Sequence, residues 1–373
     1  MKALMNGCDA IVQAALDSEC TFFAGYPITP ATPILLQMIR ELPKTGGIAI
    51  QAEDEIASMG FCIGAVMTGA RALTATSGPG ISLYSENIGL AIMAEVPLVI
   101  VDVQRMGPAT GAATTTAQGD VQFLRWGTSG GYPLIVLCPT NVEECYNLTC
   151  LAFQLSEQYR IPVIIATDKE TAATLQTVDT ETLKKCTPPP RPAAPPGKPY
   201  QPYAVGEPGE VPLLAHYGGE HLVRFNTSTH DPRGYMTKHP AEIEALNTHL
   251  SVKIEAHREA LEITSADLQP DAETLVISYG VTARSACTAV KEARAQGRKV
   301  SFLTIHSLWP VPESTIRNAL TGIKRIVVAE LNHGQYRREI ERLAGDSRTV
   351  TGVHRVDGDL ITPAQILQEG ALL

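Results

Sequence analysis

Short β-branched runs alternate with helix-length segments through the first half of the chain, and a block of prolines then ends the alternation. The runs CTFFAGYP, GIAIQAE, RALTATSG, PLVIVDVQ, YPLIVLCP and IPVIIATD have strand length and composition. Between them, NGCDAIVQAALDSE, EDEIASMGFCIGAVMTG, SLYSENIGLAIMAE and TNVEECYNLTCLAFQLSEQY are each long enough for several helical turns. Strands that alternate with helices imply βαβ crossovers, and hence a mainly parallel, doubly wound α/β sheet.

The order breaks at Cys186, where the chain reads CTPPPRPAAPPGKPYQPYAVGEPGEVP. Proline lacks an N–H and fixes φ, so this density forbids helix or central strand and favours extended polyproline geometry. Downstream, THDPRGY reads as a turn or loop, and PAEIEALNTHLSVKIEAHREALE has helical apolar spacing. A second α/β set starts near residue 272 with TLVISYG and runs through KVSFLTI and RIVVAEL to TVTGVHRV. Gly280, Gly297 and Gly322 fall at its expected turns. The expected organisation is a parallel-sheet domain over 1–170, a proline-rich connector with one helix over 171–270 that lies against the domains or a partner, and a smaller α/β domain over 271–373.

A formal net charge of -9 argues against a nucleic-acid partner, which needs a concentrated basic face. The short pairs KR at 324 and RR at 337 read as solvated surface, or at most a site for one small anion. Eight cysteines stand at 8, 20, 62, 138, 145, 150, 186 and 287, and no two have the two-residue spacing usual for zinc or iron–sulfur ligand pairs. Most lie inside apolar runs such as LIVLC and MGFCIGA, so they are expected to be buried thiols in a reducing cytosol. The N-terminal stretch lacks the apolar core of a signal peptide, and the most apolar stretch, 88–103, is interrupted by Glu95 and Pro97. A cytoplasmic protein with no membrane contact is expected.

Chemistry concentrates in QAEDEIASMGFCIGAVMTGARALTATSGPG, residues 51–80, where a strand delivers Glu53, Asp54 and Glu55 to the start of an apolar helix. By position alone these acids are accounted for by the helix dipole, worth roughly 0.3 to 1 kcal/mol. The small residues Gly60, Gly64, Ala65, Gly69 and Ala70 argue for close packing, which would leave one acid at a nearly dry boundary and suited to proton transfer. SGPG at 77–80 opens the next helix, but it is neither G-x-G-x-x-G nor a P-loop and reads best as a tight turn. The missing G-x-G-x-x-G also weighs against a dinucleotide-binding dehydrogenase.

Taken in order, YPITP, the helix-start glutamate, TATSGPG, the strand PLVIV and VDVQRMGPATG resemble the pyrimidine-binding domain of thiamine-diphosphate enzymes. More narrowly they resemble the α subunits of 2-oxoacid:ferredoxin oxidoreductases, and EDEIAS, ENIG and VDVQR are most similar to the 2-oxoglutarate members. Over 271–373, AELNHGQ and the Pro-x-Pro element look like that family's transketolase C-terminal-type domain. In the loop after VDVQR, GP, TG and QGD are kept, while the run 112–116 departs from the 2-oxoglutarate pattern.

The resemblance places the helix-start glutamate on Glu55, where it would hydrogen-bond the cofactor's aminopyrimidine and support proton removal from the thiazolium ring. Tyr26 and Pro27 join it as cofactor contacts, and Glu53 and Asp54 become structural. Thr29, in the stiff YPITP loop between Pro27 and Pro30, and Arg105, at the end of a strand, would bind the substrate; Thr32 should matter less. Alone, Thr29 reads as a turn hydroxyl and Arg105 as a surface ion pair. Gln118 and Asp120 of QGD line the same cleft or order its loop.

The implied reaction is oxidative decarboxylation of 2-oxoglutarate with coenzyme A to succinyl-CoA and carbon dioxide, with electrons passing to ferredoxin. The open alternatives are pyruvate, a branched-chain 2-oxoacid or an aryl 2-oxoacid such as phenylglyoxylate, and, from another class, a non-catalytic scaffold subunit. No GDG…N segment and no cluster-type cysteine spacing occur, so a β subunit is expected to bring the diphosphate site, Mg2+ and the [4Fe-4S] cluster. A separate γ subunit is left open, since the third domain that some members fuse on is not found here.

Overall fold

In the computed structural model, which describes residues 2–183, 186 and 191–372, the first alternation becomes β1 (Lys2–Met5), α1 (Gly7–Asp17), β2 (Phe22–Gly25), α2 (Thr32–Glu41), β3 (Ile48–Gln51), α3 (Glu55–Met67), β4 (Ala72–Thr76), α4 (Pro79–Leu83), α5 (Ser85–Met93), β5 (Leu98–Gln104), α6 (Val121–Trp126), β6 (Ile135–Leu137), α7 (Val142–Tyr159), β7 (Pro162–Asp168), α8 (Lys169–Ala173) and β8 (Gln176–Asp179). The connector ends in α9 (Pro240–Glu255). The last third forms β9 (Thr264–Asp267), β10 (Thr274–Ser278), α10 (Thr282–Ala295), β11 (Val300–Ile305), β12 (Ser307–Trp309), α11 (Glu313–Ala319), β13 (Arg325–Glu330), α12 (Arg337–Ala344), β14 (Thr349–His354) and α13 (Pro363–Glu369).

The larger sheet has the order β12-β6-β7-β5-β4-β2-β3 and is parallel except for β12, which runs antiparallel to β6. Successive side chains of a strand face opposite ways, and β5 is covered on both sides. Leu98 and Ile100 pack toward α3 and α5, whereas Val99, Val101 and Val103 pack toward α1, α2 and α7. The smaller sheet has the order β14-β13-β10-β11-β9, with β9 alone antiparallel. β1 and β8 form a separate antiparallel ribbon.

Sequence reading did not anticipate how closely the two α/β parts are joined. β12, from the last third, completes the edge of the larger sheet, and Leu275, Ile277 and Leu303 share one core with Ile63 and Ile88. Three residues are too short a run to announce which sheet they join.

The expected polyproline geometry of residues 188–190 lies outside the described residues. Between Asp179 and Pro240 the described connector carries no helix or strand, and it is anchored by buried charge. Arg191 donates to both carboxylate oxygens of Glu157, at 2.6 and 2.8 Å, and to the Gly69 carbonyl at 2.7 Å. Arg160 is fully buried, donating to the carbonyls of Glu95, Pro202, Pro212 and Leu213. On α9, Lys253 Nζ lies 2.6 Å from the buried Glu95 carboxylate, which also meets His249 Nε2 at 3.1 Å.

One cysteine expectation is corrected. Cys150 of α7 and Cys186 of the connector form a disulfide, Cα to Cα 5.3 Å, joining groups 36 residues apart that spacing could not pair. Cys8, Cys20, Cys62, Cys138 and Cys145 are free and buried, and burial raises their thiols.

Candidate functional site

The candidate residues stand at the carboxyl ends of β2, β3, β4 and β5, where loops leave the open parallel sheet. Of the three acids after β3, Asp54 caps α3, its Oδ1 accepting from the Ala57 N–H at 2.7 Å, and Glu53 is exposed. Glu55 turns inward with 7% of its surface accessible, and its carboxyl makes no hydrogen bond among the described residues. It lies against Gly80, where an added Cβ would stand 2.8 Å from Oε1. SGPG is therefore a turn that lets α4 approach a carboxyl group closely. Gly60 and Gly64, for which close packing was expected, instead lie on the open face of α3: a Cβ at either meets nothing within 4 Å.

Arg105 follows β5 directly and is buried. Its Nη1 donates to the main-chain carbonyl of Thr29, Nη2 to the carbonyl of Thr110 at 3.1 Å, and Nε has no partner among the described residues. The loop after β2 and the end of β5 are thus brought together, and the Thr29 hydroxyl stays free on an exposed residue. Tyr26 is exposed, Pro27 half-buried, and Thr32 starts α2.

The QGD pair separates. Asp120 lines a cavity of about 470 Å³ with Gly78, Ser82, Pro108, Phe123 and His333, so both α/β parts contribute to it. Gln118 does not line it, because its side chain is used up between the two parts. Its Nε2 donates to Asp168 and to the Tyr279 carbonyl, both at 3.3 Å, while Oε1 accepts from the Leu331 N–H at 3.1 Å and the Thr282 hydroxyl at 3.2 Å. Lining the cleft and ordering its loop were both open for Gln118; its side chain spans the two α/β parts. A larger cavity, about 710 Å³, lies between the connector and α9, away from every candidate residue.

Asp102 went unnoticed in the sequence. It sits on β5 opposite Thr76 of β4 in the parallel register, on the face that Leu98 and Ile100 define, and is fully buried. Burial first, and the Asp120 carboxyl next, push it well above the usual range. Burial likewise raises Asp120 to about 6, against the opposing pull of Arg105. A charge inside PLVIVDVQ was the available signal. Near it, Tyr84 shares a 2.7 Å hydrogen bond with Thr74.

Comparison with known proteins bears on this site. Residues 13–235 match the family model described as pyruvate flavodoxin/ferredoxin oxidoreductase, thiamine diphosphate-binding, and residues 272–366 match pyruvate:ferredoxin oxidoreductase core domain II. The chain is 39% identical to the 2-oxoglutarate synthase subunit KorA of Methanothermobacter thermautotrophicus over 97% of its own length and 96% of the relative's. It is 35% identical to the ketoisovalerate oxidoreductase subunit VorB of that organism, over 98% and 96%. Among solved structures, the 2-oxoglutarate:ferredoxin oxidoreductase of Magnetococcus marinus, with 2-oxoglutarate, coenzyme A and succinyl-CoA bound, superposes with a TM-score of 0.94 at 30% identity. That match covers 99% of this chain and 65% of the other.

Proposed function

Since the chain belongs to the pyruvate flavodoxin/ferredoxin oxidoreductase family, we propose that it is the α subunit of an enzyme that oxidatively decarboxylates 2-oxoglutarate with coenzyme A, giving succinyl-CoA and carbon dioxide and passing electrons to ferredoxin. The observation that carries the reading is the unpartnered, nearly dry carboxyl group of Glu55 beside a glycine turn, with Arg105 and Thr29 held together at the next strand ends.

These residues fit thiamine diphosphate. A buried carboxyl without a protein donor calls for a donor on the ligand, and an aminopyrimidine offers one. When bound, the cofactor supplies the nucleophilic carbon and the electron sink for decarboxylation. Glu55 would hold and move the proton at the pyrimidine, Tyr26 and Pro27 would contact the cofactor, and the missing Cβ at Gly80 lets α4 lie against the Glu55 carboxyl. Arg105 can offer a carboxylate the Nη hydrogens that the Thr29 and Thr110 carbonyls leave unused, and the Thr29 hydroxyl can donate to the 2-oxo oxygen. Asp120 lines a neighbouring cavity, bordered by Gly78 and Pro79 of the glycine turn.

A β subunit would provide the diphosphate and Mg2+ site and the [4Fe-4S] cluster. The open face of α3, with Ile56, Gly60, Phe61 and Gly64, is the surface offered to it. The setting proposed is cytoplasmic; no helix among the described residues is long and apolar enough to cross a membrane.

The likeness to the ketoisovalerate subunit favours a branched-chain 2-oxoacid as the second reading. Acceptor reduction by the assembled complex, measured with 2-oxoglutarate, 2-oxoisovalerate, pyruvate and phenylglyoxylate, decides between them. Poor turnover of 2-oxoglutarate beside rapid turnover of another acid removes the first choice.

A further inference from the structure

At the carboxyl ends of β4 and β5, buried polar atoms outnumber their partners. Thr76 Oγ1, both carboxyl oxygens of Asp102, Asp120 Oδ2 and Arg105 Nε make no well-formed hydrogen bond among the described residues, the Gly78 N–H being the one backbone donor turned toward Asp102. Two carboxylates have no donor to offer each other, so the arrangement is unsatisfied if both are ionised. One proton between them supplies the missing donor and removes one of two like charges from a site where Asp102 is shut off from water. Asp102 is closed in by the sheet, whereas Asp120 reaches the cavity, so only Asp120 can respond to a ligand there.

Arg105 supplies the coupling. It follows Asp102 by three residues on the same strand end, and its charge favours the ionised form of Asp120. We propose that Asp102 and Asp120 share one proton beside Arg105 and take up a second when a 2-oxoacid carboxylate docks on that guanidinium, which links substrate binding to proton uptake.

The incoming carboxylate offsets the guanidinium charge that favours ionised Asp120 and repels the Asp120 charge; protonation of Asp120 removes that repulsion. By reciprocity, whatever favours protonation of Asp120 favours substrate. The other charged or titratable groups facing the pair are Glu55 from α3, Tyr84 between α4 and α5, and His333 across the cavity. Tyr84 is raised by burial and stays neutral, and Glu55 is engaged with the cofactor in the reading above. The inference rests on that reading: Asp102 and Asp120 are positioning residues that act through Arg105.

The test uses the assembled, cofactor-loaded complex with 2-oxoglutarate, whose carboxylates stay ionised from about pH 5.5 to about pH 8. In the parent enzyme KM should rise with pH, by at most about ten-fold per unit, with kcat much flatter. Asp120→Asn should abolish that slope and give the lower KM at alkaline pH. Asp102→Asn, which offers Asp120 a permanent amide donor, should move the slope to lower pH. A merely structural role would change KM or kcat alike at all pH values and leave the profile in place, which overturns the inference. Should either variant fail to assemble, calorimetry of the parent complex with 2-hydroxyglutarate, in buffers of different ionisation enthalpy near neutral pH, reads the same linkage. Uptake of up to one proton per site supports it, and none overturns it. A complex that turns over no 2-oxoacid sinks the functional reading and this inference with it; turnover of 2-oxoglutarate with a pH-independent KM sinks the inference alone.

Discussion

Arg105 donates to the main-chain carbonyl of Thr29 and leaves the Thr29 hydroxyl unused, so the two residues proposed to meet the substrate are fixed to each other through backbone. Arg105→Lys loses the planar fork that spans the Thr29 and Thr110 carbonyls while offering an edge to a carboxylate. We expect kcat/KM to fall about 10- to 150-fold, an effect of roughly 1.4 to 3 kcal/mol, with complex assembly unchanged. Steady-state kinetics across a 2-oxoacid series checks this; a change below two-fold in KM and kcat would remove Arg105 from the site.

Glu55→Gln keeps the shape of the side chain and removes its proton chemistry. Turnover should drop by about 10²- to 10⁴-fold, the usual scale for general acid/base work, with the complex still assembled. A scaffold subunit would show near-parent activity in the same assay.

Gly80→Ala places a methyl group against the Glu55 carboxyl and the Thr76 hydroxyl. The expected outcome is loss of cofactor affinity, read as a raised thiamine diphosphate requirement, rather than loss of fold. Parent-like cofactor dependence would show that the turn does not shape the pocket.

Lys253→Met leaves the fully buried Glu95 without its nearest cation and should destabilise the protein by about 3 to 5 kcal/mol. Burial alone would raise Glu95, but Lys253, His249 and Arg160 hold it well below the usual carboxylate range. A lowered folded-state pKa gives stability that is present above the unfolded value and lost as pH falls below it. Thermal unfolding should therefore show an acid-sensitive parent, and Glu95→Gln with Lys253→Met should recover much of the single-variant loss. Equal loss in single and double variants would count against the pair as the connector's anchor.

Gln118→Leu removes the partners of the Leu331 N–H and the Thr282 hydroxyl between the two α/β parts. Leaving such groups unsatisfied should cost about 2 to 4 kcal/mol, seen as a lower denaturation midpoint. An unchanged midpoint would mean that the shared core alone holds the parts together.

Much of the fold was legible because strand and helix periodicity are local. The order of β2 to β7 and of β10, β11, β13 and β14 follows from apolar runs bounded by glycine and proline. A structural part for Asp54 was legible too, since acids at a helix start are a local pattern, but its cap on the Ala57 N–H came from the structure. Thr29 and Arg105 carried only weak local signals, and the family resemblance singled them out. Asp102 escaped because an acid in a strand gives no sign of which charges will face it.

The sequence by itself determined the α/β class, the proline break and the helix-start acid among small residues, all set by backbone propensity and spacing within a few residues. Only the tertiary structure decided that β12 crosses to the larger sheet, that Cys186 meets Cys150, that Gln118 joins the two parts, and that Asp102 lies within reach of Asp120. Each of these depends on groups distant in sequence being buried side by side, and the cost of burying charge and unpaired polar atoms is set by neighbours that only the folded chain assembles.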